Sequence, residues 1–382
     1  VKKLIVPLAL GAALALGACS AGPGASTTES GGVSEKADAA LAALDGKVFS
    51  KGPKGEEPAK AEAADLTDAE IAQVKAKKAT AAIVMHYGGN DWATAQIDGL
   101  KSEFGKLGIT VVAVTDANFK PDKQVSDLET VMAQKPDIIV SIPTDPVATA
   151  AQYKRAAAAG AKLVFMDNVP NGMTAGKDYV SVVSADNYGN GVTSAHLLAK
   201  AMGGKGEIGA IYHEADFFVT KQRYEGFTAT LKSDYPDIEI VEAKGIAGPD
   251  FAGDGQNAAN AMLSKHPDLA GIWGVWDVPA EGILAAARAS GRQDLKVATE
   301  DLGKNVAIAL AKDSLVVGLG AQRPFDQGIT EARLAAGSLI GKQAPPYIAL
   351  SALPVDHENV LDAWKQVYHQ DAPKFLTDSY KK

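Results

Sequence analysis

The chain is poor in the side chains that most protein chemistry needs. It has one cysteine, Cys19, among 382 residues. A single thiol excludes a disulfide framework, a cysteine-based zinc site and an iron–sulfur cluster. Six histidines are present, and no two of them show HxxxH or HExxH spacing. There is no GxSxG elbow and no Walker loop. Positive charge is in deficit, with 38 basic against 46 acidic residues and a net charge of −8. A nucleic-acid binder normally carries a basic patch or stripe, so that class is set aside. What remains is 46% hydrophobic and 22% charged, the balance of a soluble globular protein. The length suits two domains of ordinary size or one large one.

The first segment carries an address. Lys2 and Lys3 precede an apolar run from Leu4 to Ala18. That is a charged region followed by a hydrophobic one of secretory type. The run is shorter than the roughly 20 apolar residues of a transmembrane helix. It ends in Leu16-Gly17-Ala18-Cys19, which resembles the lipobox of bacterial lipoproteins. The resemblance implies a signal peptide over residues 1–18 and an acylated Cys19. The protein is then expected outside the cytoplasm, held to the cell membrane by a lipid anchor it does not need to span. Loss of Lys2 and Lys3 leaves 36 basic against 46 acidic residues, a charge of −10. Residues 19–78 are expected to be a flexible tether ending in a short helix. Ser20–Gly32 has linker composition, little packed structure is expected to about Asp65, and Thr67-Asp68-Ala69-Glu70 matches a capping box.

From Thr80 onward strands and helices alternate. Ala81–Met85, Thr110–Val114, Asp137–Ser141 and Lys162–Met166 read as buried strands. Helical patterns over 92–107, 123–134 and 146–159 separate them. The rhythm repeats after Val180, with strands at 207–212, 238–243, 271–275 and 296–299. Apolar strands alternating with helices imply βαβ units and a mostly parallel sheet. Two such runs give an α/β protein of two doubly wound, Rossmann-like lobes. Ligands of such sheets bind beyond the carboxyl ends of the strands.

The residues at those ends are polar or aromatic. They include His86 to Trp92, Thr144-Asp145, Asp167-Asn168, Asp216 to Arg223, Trp276-Asp277, Glu300-Asp301 and Gln322 to Gln327. Carboxylates, amides and cations can each meet a hydroxyl, which is one donor and two acceptors. An aromatic face covers the apolar side of a carbon chain. The mixture suits a polyhydroxylated ligand and requires neither a catalytic group nor a cofactor. Asp91 and Asp145 also suit helix capping, and Trp273, inside a strand, suits the core.

Several motifs occur in order: Asn90-Asp91-Trp92 with Gly99, Thr144-Asp145, Asp167-Asn168, Ser184 to Gly189, Arg223 to Phe227, Asp277 to Ala280, Asp301, and Ala321 to Pro324. Together they resemble the periplasmic sugar-binding proteins of ABC transporters, of the ribose/galactose type. The likeness implies a type I periplasmic binding protein with three chain crossings, near 183–186, 320–322 and 350–353. It implies an N-terminal lobe of 79–184 plus 322–351 and a C-terminal lobe of 185–321 plus 352–382. The ligand contacts it implies are Asn90, Trp92, Asp167, Asn168, Lys221, Arg223, Trp276, Asp277, Asp301 and Gln322. Asn168 and Lys221 fall where ribose binders carry arginines, and Trp276 where they carry asparagine. Those departures point from ribose toward a polyol or a different pentose or tetrose. The implied partners are a sugar or sugar alcohol and an ABC permease, with the chain a monomer. A receptor that presents its ligand to a membrane sensor is the alternative.

An enzyme is disfavoured. Glu300 and Asp301 are adjacent on a strand, so they point to opposite faces and cannot readily flank one bond. Gly253-Asp254-Gly255 is a poor match to a phosphate-binding loop. On this reading Asp301→Ala or Trp92→Ala abolishes binding and leaves the fold largely intact.

Overall fold

A computed structural model describes residues 27–381, with side-chain surroundings from residue 32. The expected signal peptide, the lipobox-like motif and Cys19 lie outside the described residues. Among those described, no helix is long and apolar enough to cross a membrane.

The N-terminal segment forms α1 (Thr27–Ala43), a 3-10 turn at Ala61–Ala64, and α2 (Asp68–Lys77). The capping box forms at the start of α2: the Glu70 amide donates to Thr67 Oγ1, and Glu70 accepts from the Thr67 amide. The expected loose tether is corrected from residue 27 onward. Val33, Ala37, Leu41 and Leu44 repeat at helical spacing, and Ala37 and Leu44 are buried. Small side chains and two glycines hide that stripe in a linker-like composition.

Two six-stranded sheets follow. Their strands are β1 (Thr80–Met85), β2 (Thr110–Asp116), β3 (Ile138–Ser141), β4 (Lys162–Met166), β5 (Ser181–Ala185), β6 (Gly206–His213), β7 (Ile238–Ile246), β8 (Gly271–Gly274), β9 (Lys296–Glu300), β10 (Val316–Ala321), β11 (Tyr347–Leu350) and β12 (Leu353–Val355). The first sheet has the order β11-β5-β4-β3-β1-β2 and is parallel throughout. The second has the equivalent order β12-β10-β9-β8-β6-β7, with only β12 antiparallel. Strands such as β1 and β8 are buried along almost their whole length, so they read as unbroken apolar runs. The edge strand β2 instead alternates between exposed and half-buried residues.

The helices are α3 (Asp91–Lys106), α4 (Pro121–Ala133), α5 (Ala150–Ala158), α6 (Asn187–Met202), α7 (Phe218–Asp234), α8 (Phe251–Lys265), α9 (Asp277–Ala289), α10 (Lys304–Ala311), α11 (Pro324–Ser338) and α12 (Val360–Tyr368). Three pairs of them cross on reciprocal glycines. A Cβ on Gly99 would lie 2.2 Å from the Phe325 carbonyl oxygen, and one on Gly328 2.5 Å from that of Gln96, which joins α3 to α11. Gly191 and Gly226 join α6 to α7, and Gly255 and Gly282 join α8 to α9, in the same way. Gly255 therefore serves helix packing, which accounts for the poor phosphate-loop match.

The chain passes between the sheets three times. It leaves the first sheet after β5 for α6, returns after β10 to α11, which lies against α3, and crosses again between β11 and β12. The cleft lies between the lobes, at the carboxyl ends of the strands.

Candidate ligand-binding cleft

Two strand ends set the floor. Asp167 follows β4 and Asp301 follows β9, and both take positive φ, 55° and 65°. Left-handed backbone is uncommon outside glycine, though Asp adopts it more readily than most. Both side chains are buried.

Asp301 is paired before any ligand arrives. Arg223 Nη1 donates to its Oδ2 at 2.9 Å and Nη2 to its Oδ1 at 3.2 Å. Gln322 Nε2 adds a third bond to Oδ1 at 3.0 Å. Arg223 is itself held by Asn187 Oδ1 and the Val275 carbonyl. Burial opposes its charge, and Asp301 and then Glu300 restore it, leaving the guanidinium above its ordinary range. A carboxylate offers about four lone-pair sites, so Asp301 keeps one, on Oδ2, for a ligand hydroxyl.

Asp167 has only Ser184, whose Oγ donates to Oδ1 at 2.5 Å. Burial pushes its carboxyl up to about 6 against the lowering effects of Ser184 and Arg223. Glu300 faces the other way, into α6. It accepts from Ser194 Oγ, and burial pushes it up to about 8.

The first lobe adds Asn90 and Trp92. Asn90 caps α3, its Oδ1 accepting from the Ala93 amide at 2.9 Å, so its Nδ2 is left to donate. The Trp92 indole N–H, Gln322 Oε1 and His86 Nδ1 are buried without a partner. Burial lowers His86 to about 3, so its ring is neutral. A buried polar atom without a partner is costly, and a ligand in the cleft can satisfy Trp92 and Gln322.

Aromatic rings form the walls. Trp276 stands edge-on to Phe251 at 4.9 Å and to His213 at 5.5 Å. The lobes meet through His86 stacked on Phe217 at 6.1 Å and Phe119 edge-on to Phe251 at 5.6 Å. The enclosed space is about 690 Å³, within the range of about 300–1,000 Å³ of small-molecule sites.

Of the ten residues singled out in the sequence, Asn90, Trp92, Asp167, Arg223, Trp276, Asp301 and Gln322 line this space. Three do not. Lys221 points to solvent, its side chain 60% exposed and 3.6 Å from Asp216. Asn168 is buried against the Pro143 carbonyl. Asp277 opens α9, accepts from the Val278 amide, and faces a small recess behind Trp92 and Gln322. Asp91 does not cap α3. It crosses to the other lobe and accepts from the Lys304 amide at 2.8 Å. Asp145 caps the turn at Val147 and Ala148, and Trp273 is fully buried. Phe119 and Phe251 are cleft residues that the sequence reading passed over.

Two lobes of equivalent topology, three crossings and a buried polar floor between aromatic walls define a protein that captures a small ligand between its lobes. The chain belongs to the periplasmic binding protein domain family, whose sequence profile matches residues 81–343. It is a binding protein of extracytoplasmic type, not an enzyme. It is similar to the ribose import binding protein of Bacillus subtilis, 27% identical over 252 residues that span 66% of this chain and 78% of that protein. Its fold is similar to that of an ABC transporter solute-binding protein from Agrobacterium vitis bound with α-D-tagatopyranose. The TM-score is 0.69 at 25% identity, covering 76% of this chain and 99% of that one. A second solute-binding protein of Agrobacterium vitis, with bound allitol, matches at TM-score 0.66 and 25% identity over 75% and 98% of the two chains.

Proposed function

We propose that the protein captures a neutral sugar or sugar alcohol of pentose, tetritol or pentitol size and delivers it to the permease of an ABC transporter. The observation that carries this reading is the convergence of Asp167, Arg223, Asp301 and Gln322 between Trp92 and Trp276. Asp167 and the free lone pair of Asp301 accept from hydroxyls, Gln322 Oε1 accepts another, and Asn90 Nδ2 and the Trp92 N–H donate. The aromatic walls cover the C–H faces. The named ligands of the similar proteins, ribose, the cyclic hexose tagatopyranose and the open-chain hexitol allitol, support the wider class of neutral sugars and sugar alcohols. Lipidation at Cys19 would hold the protein beside its permease.

A thermal-shift panel of pentoses, hexoses, tetritols, pentitols and hexitols tests the proposal. A ligand at about 100 times its Kd adds about 2.7 kcal/mol of stability. A hit among polyols supports open-chain binding, and a hit among cyclic sugars supports ring stacking on Trp92 and Trp276. Silence across the panel overturns the reading in favour of a receptor for another signal molecule.

A further inference from the structure

Residues 27–78 precede the family match, which begins at 81. The tagatopyranose-bound relative is matched over 99% of its length and still leaves a quarter of this chain without a counterpart. Yet this segment is tied to both lobes.

Its first half is bonded to the C-terminal lobe, with Val48 packed on the core of the other. Helix α1 lies along α6, with Ala37 fully buried, and Lys200 Nζ meets Asp38 Oδ1 at 2.6 Å. The Lys36 ammonium donates to the Asp234 carbonyl. The chain then reaches Asp186, the first crossing. Both oxygens of that buried carboxylate are taken: Phe49 N donates to Oδ2 at 2.9 Å, and Ser50 N and Oγ each donate to Oδ1 at 2.8 Å. Ser50 Oγ also accepts from the Tyr188 amide, and Gln222 Nε2 donates to the Lys51 carbonyl at 3.0 Å.

The second half belongs to the N-terminal lobe. Gly52 lies so close to the Tyr347 ring that a Cβ would stand 3.0 Å from its Cγ. Ala59 bridges to β11, donating to the Tyr347 carbonyl and accepting from the Ala349 amide. Lys342 Nζ grips the Asp65 carbonyl and Glu70, each at 2.8 Å.

Lys51 and Gly52 are consecutive, and different lobes hold them. One residue spans at most about 3.6 Å, so the handover has no slack. We infer that residues 27–78 form a strap behind the hinge, a fourth link between the lobes that limits how far and in which directions the cleft opens. The strap follows the C-terminal lobe through α1, touches both lobes over residues 48–52, where Val48 packs on the core of the N-terminal lobe while Lys51 is bonded to Gln222, and follows the N-terminal lobe from Gly52. Rotation about an axis through this region strains the strap least, while separation or twist there must break the bonds to Asp186 and Gln222 or lift Gly52 off the Tyr347 ring. The inference does not depend on which ligand the cleft takes.

Spin labels on the ligand-free full chain test it. With Cys19→Ser, Asp122→Cys and Asn257→Cys, one exposed label sits on α4 of one lobe and one on α8 of the other. Insertion of Gly-Ser-Gly-Ser between Lys51 and Gly52 supplies slack and leaves both sets of anchors. The expected result is a longer mean distance and a broader distribution between labels, with an unchanged circular dichroism spectrum. The Ser50→Ala, Gln222→Ala double variant should shift the distribution the same way by a smaller amount. Folded variants with the parent's distribution overturn the strap. If the insertion variant does not fold, the double variant decides alone. Because no ligand is added, a failed ligand panel and a failed strap are separate outcomes.

Discussion

Asp167 and Asp301 occupy equivalent places in the two lobes. Each follows the fourth strand of its sheet, each has left-handed backbone, and each is buried at the cleft floor. Their surroundings differ. Asp301 holds a guanidinium and an amide, whereas Asp167 holds one serine hydroxyl. The repeated fold supplies the position, and the neighbouring elements supply different partners, Arg223 of α7 and Gln322 after β10 for Asp301, and Ser184 of β5 for Asp167. One lobe therefore brings a carboxyl group held in place by an arginine and an amide, and the other a carboxyl that burial has pushed up to about 6.

The largest test of that contrast is Asp301→Ala. It strands the buried guanidinium of Arg223, and breaking such a pair costs about 3–5 kcal/mol. Urea unfolding should show this loss, and Asp167→Ala should cost clearly less. Equal costs would end the comparison. The ion pair thus adds a stability cost to Asp301→Ala that the sequence alone did not reveal.

Asp167 carries the next effect. Its pKa rises on folding from 3.8 to about 6, so its protonated form is the one the fold favours. Its contribution to stability is fully present below the unfolded value and is lost as pH rises through 6. That interval corresponds to about 3 kcal/mol. Asp167→Asn should flatten this part of the pH–stability profile and leave the variant more stable than the parent at neutral pH. A parallel slope in parent and variant would sink the assignment.

The helix pairs give a smaller effect. A methyl at Gly191 would press on the carbonyl oxygen of Arg223 at 2.0 Å, and one at Gly99 on that of Phe325 at 2.2 Å. Each Gly→Ala change should cost about 1–3 kcal/mol by overpacking. Gly191→Ala should also weaken ligand binding, since it moves the helix that carries Arg223. Titration calorimetry on both variants separates the two.

The smallest effect is at Lys221. Lys221→Ala should change stability by no more than about 0.5 kcal/mol and leave affinity unchanged. A large loss of affinity would return this lysine to the site.

The interior strands were legible because burial on both faces makes them continuous apolar runs, as in Ile138–Ser141. Seven of the ten chosen residues line the cleft because strand ends are where side chains converge. The edges were harder to read. β2 and β7 face solvent along part of their length, so Thr115-Asp116 and Lys244-Gly245 look like loop. Ending those strands early hid the next residues, Phe119 and Phe251. Lys221 and Arg223 are two apart on one helix, and spacing alone does not say which faces inward. The strap was hidden by its composition, since alanine and glycine give a weak stripe even where Ala37 is fully buried.

The reciprocal glycines have a practical consequence. Helices that meet backbone to backbone have no side-chain rotamers between them to slip, so each lobe moves as a plank. A fluorescent donor on one plank and an acceptor on the other would read occupancy with little internal noise, because the strands and loops at the three crossings are the parts that bend. The chain is thus suited to conversion into a reagentless optical sensor for its own ligand.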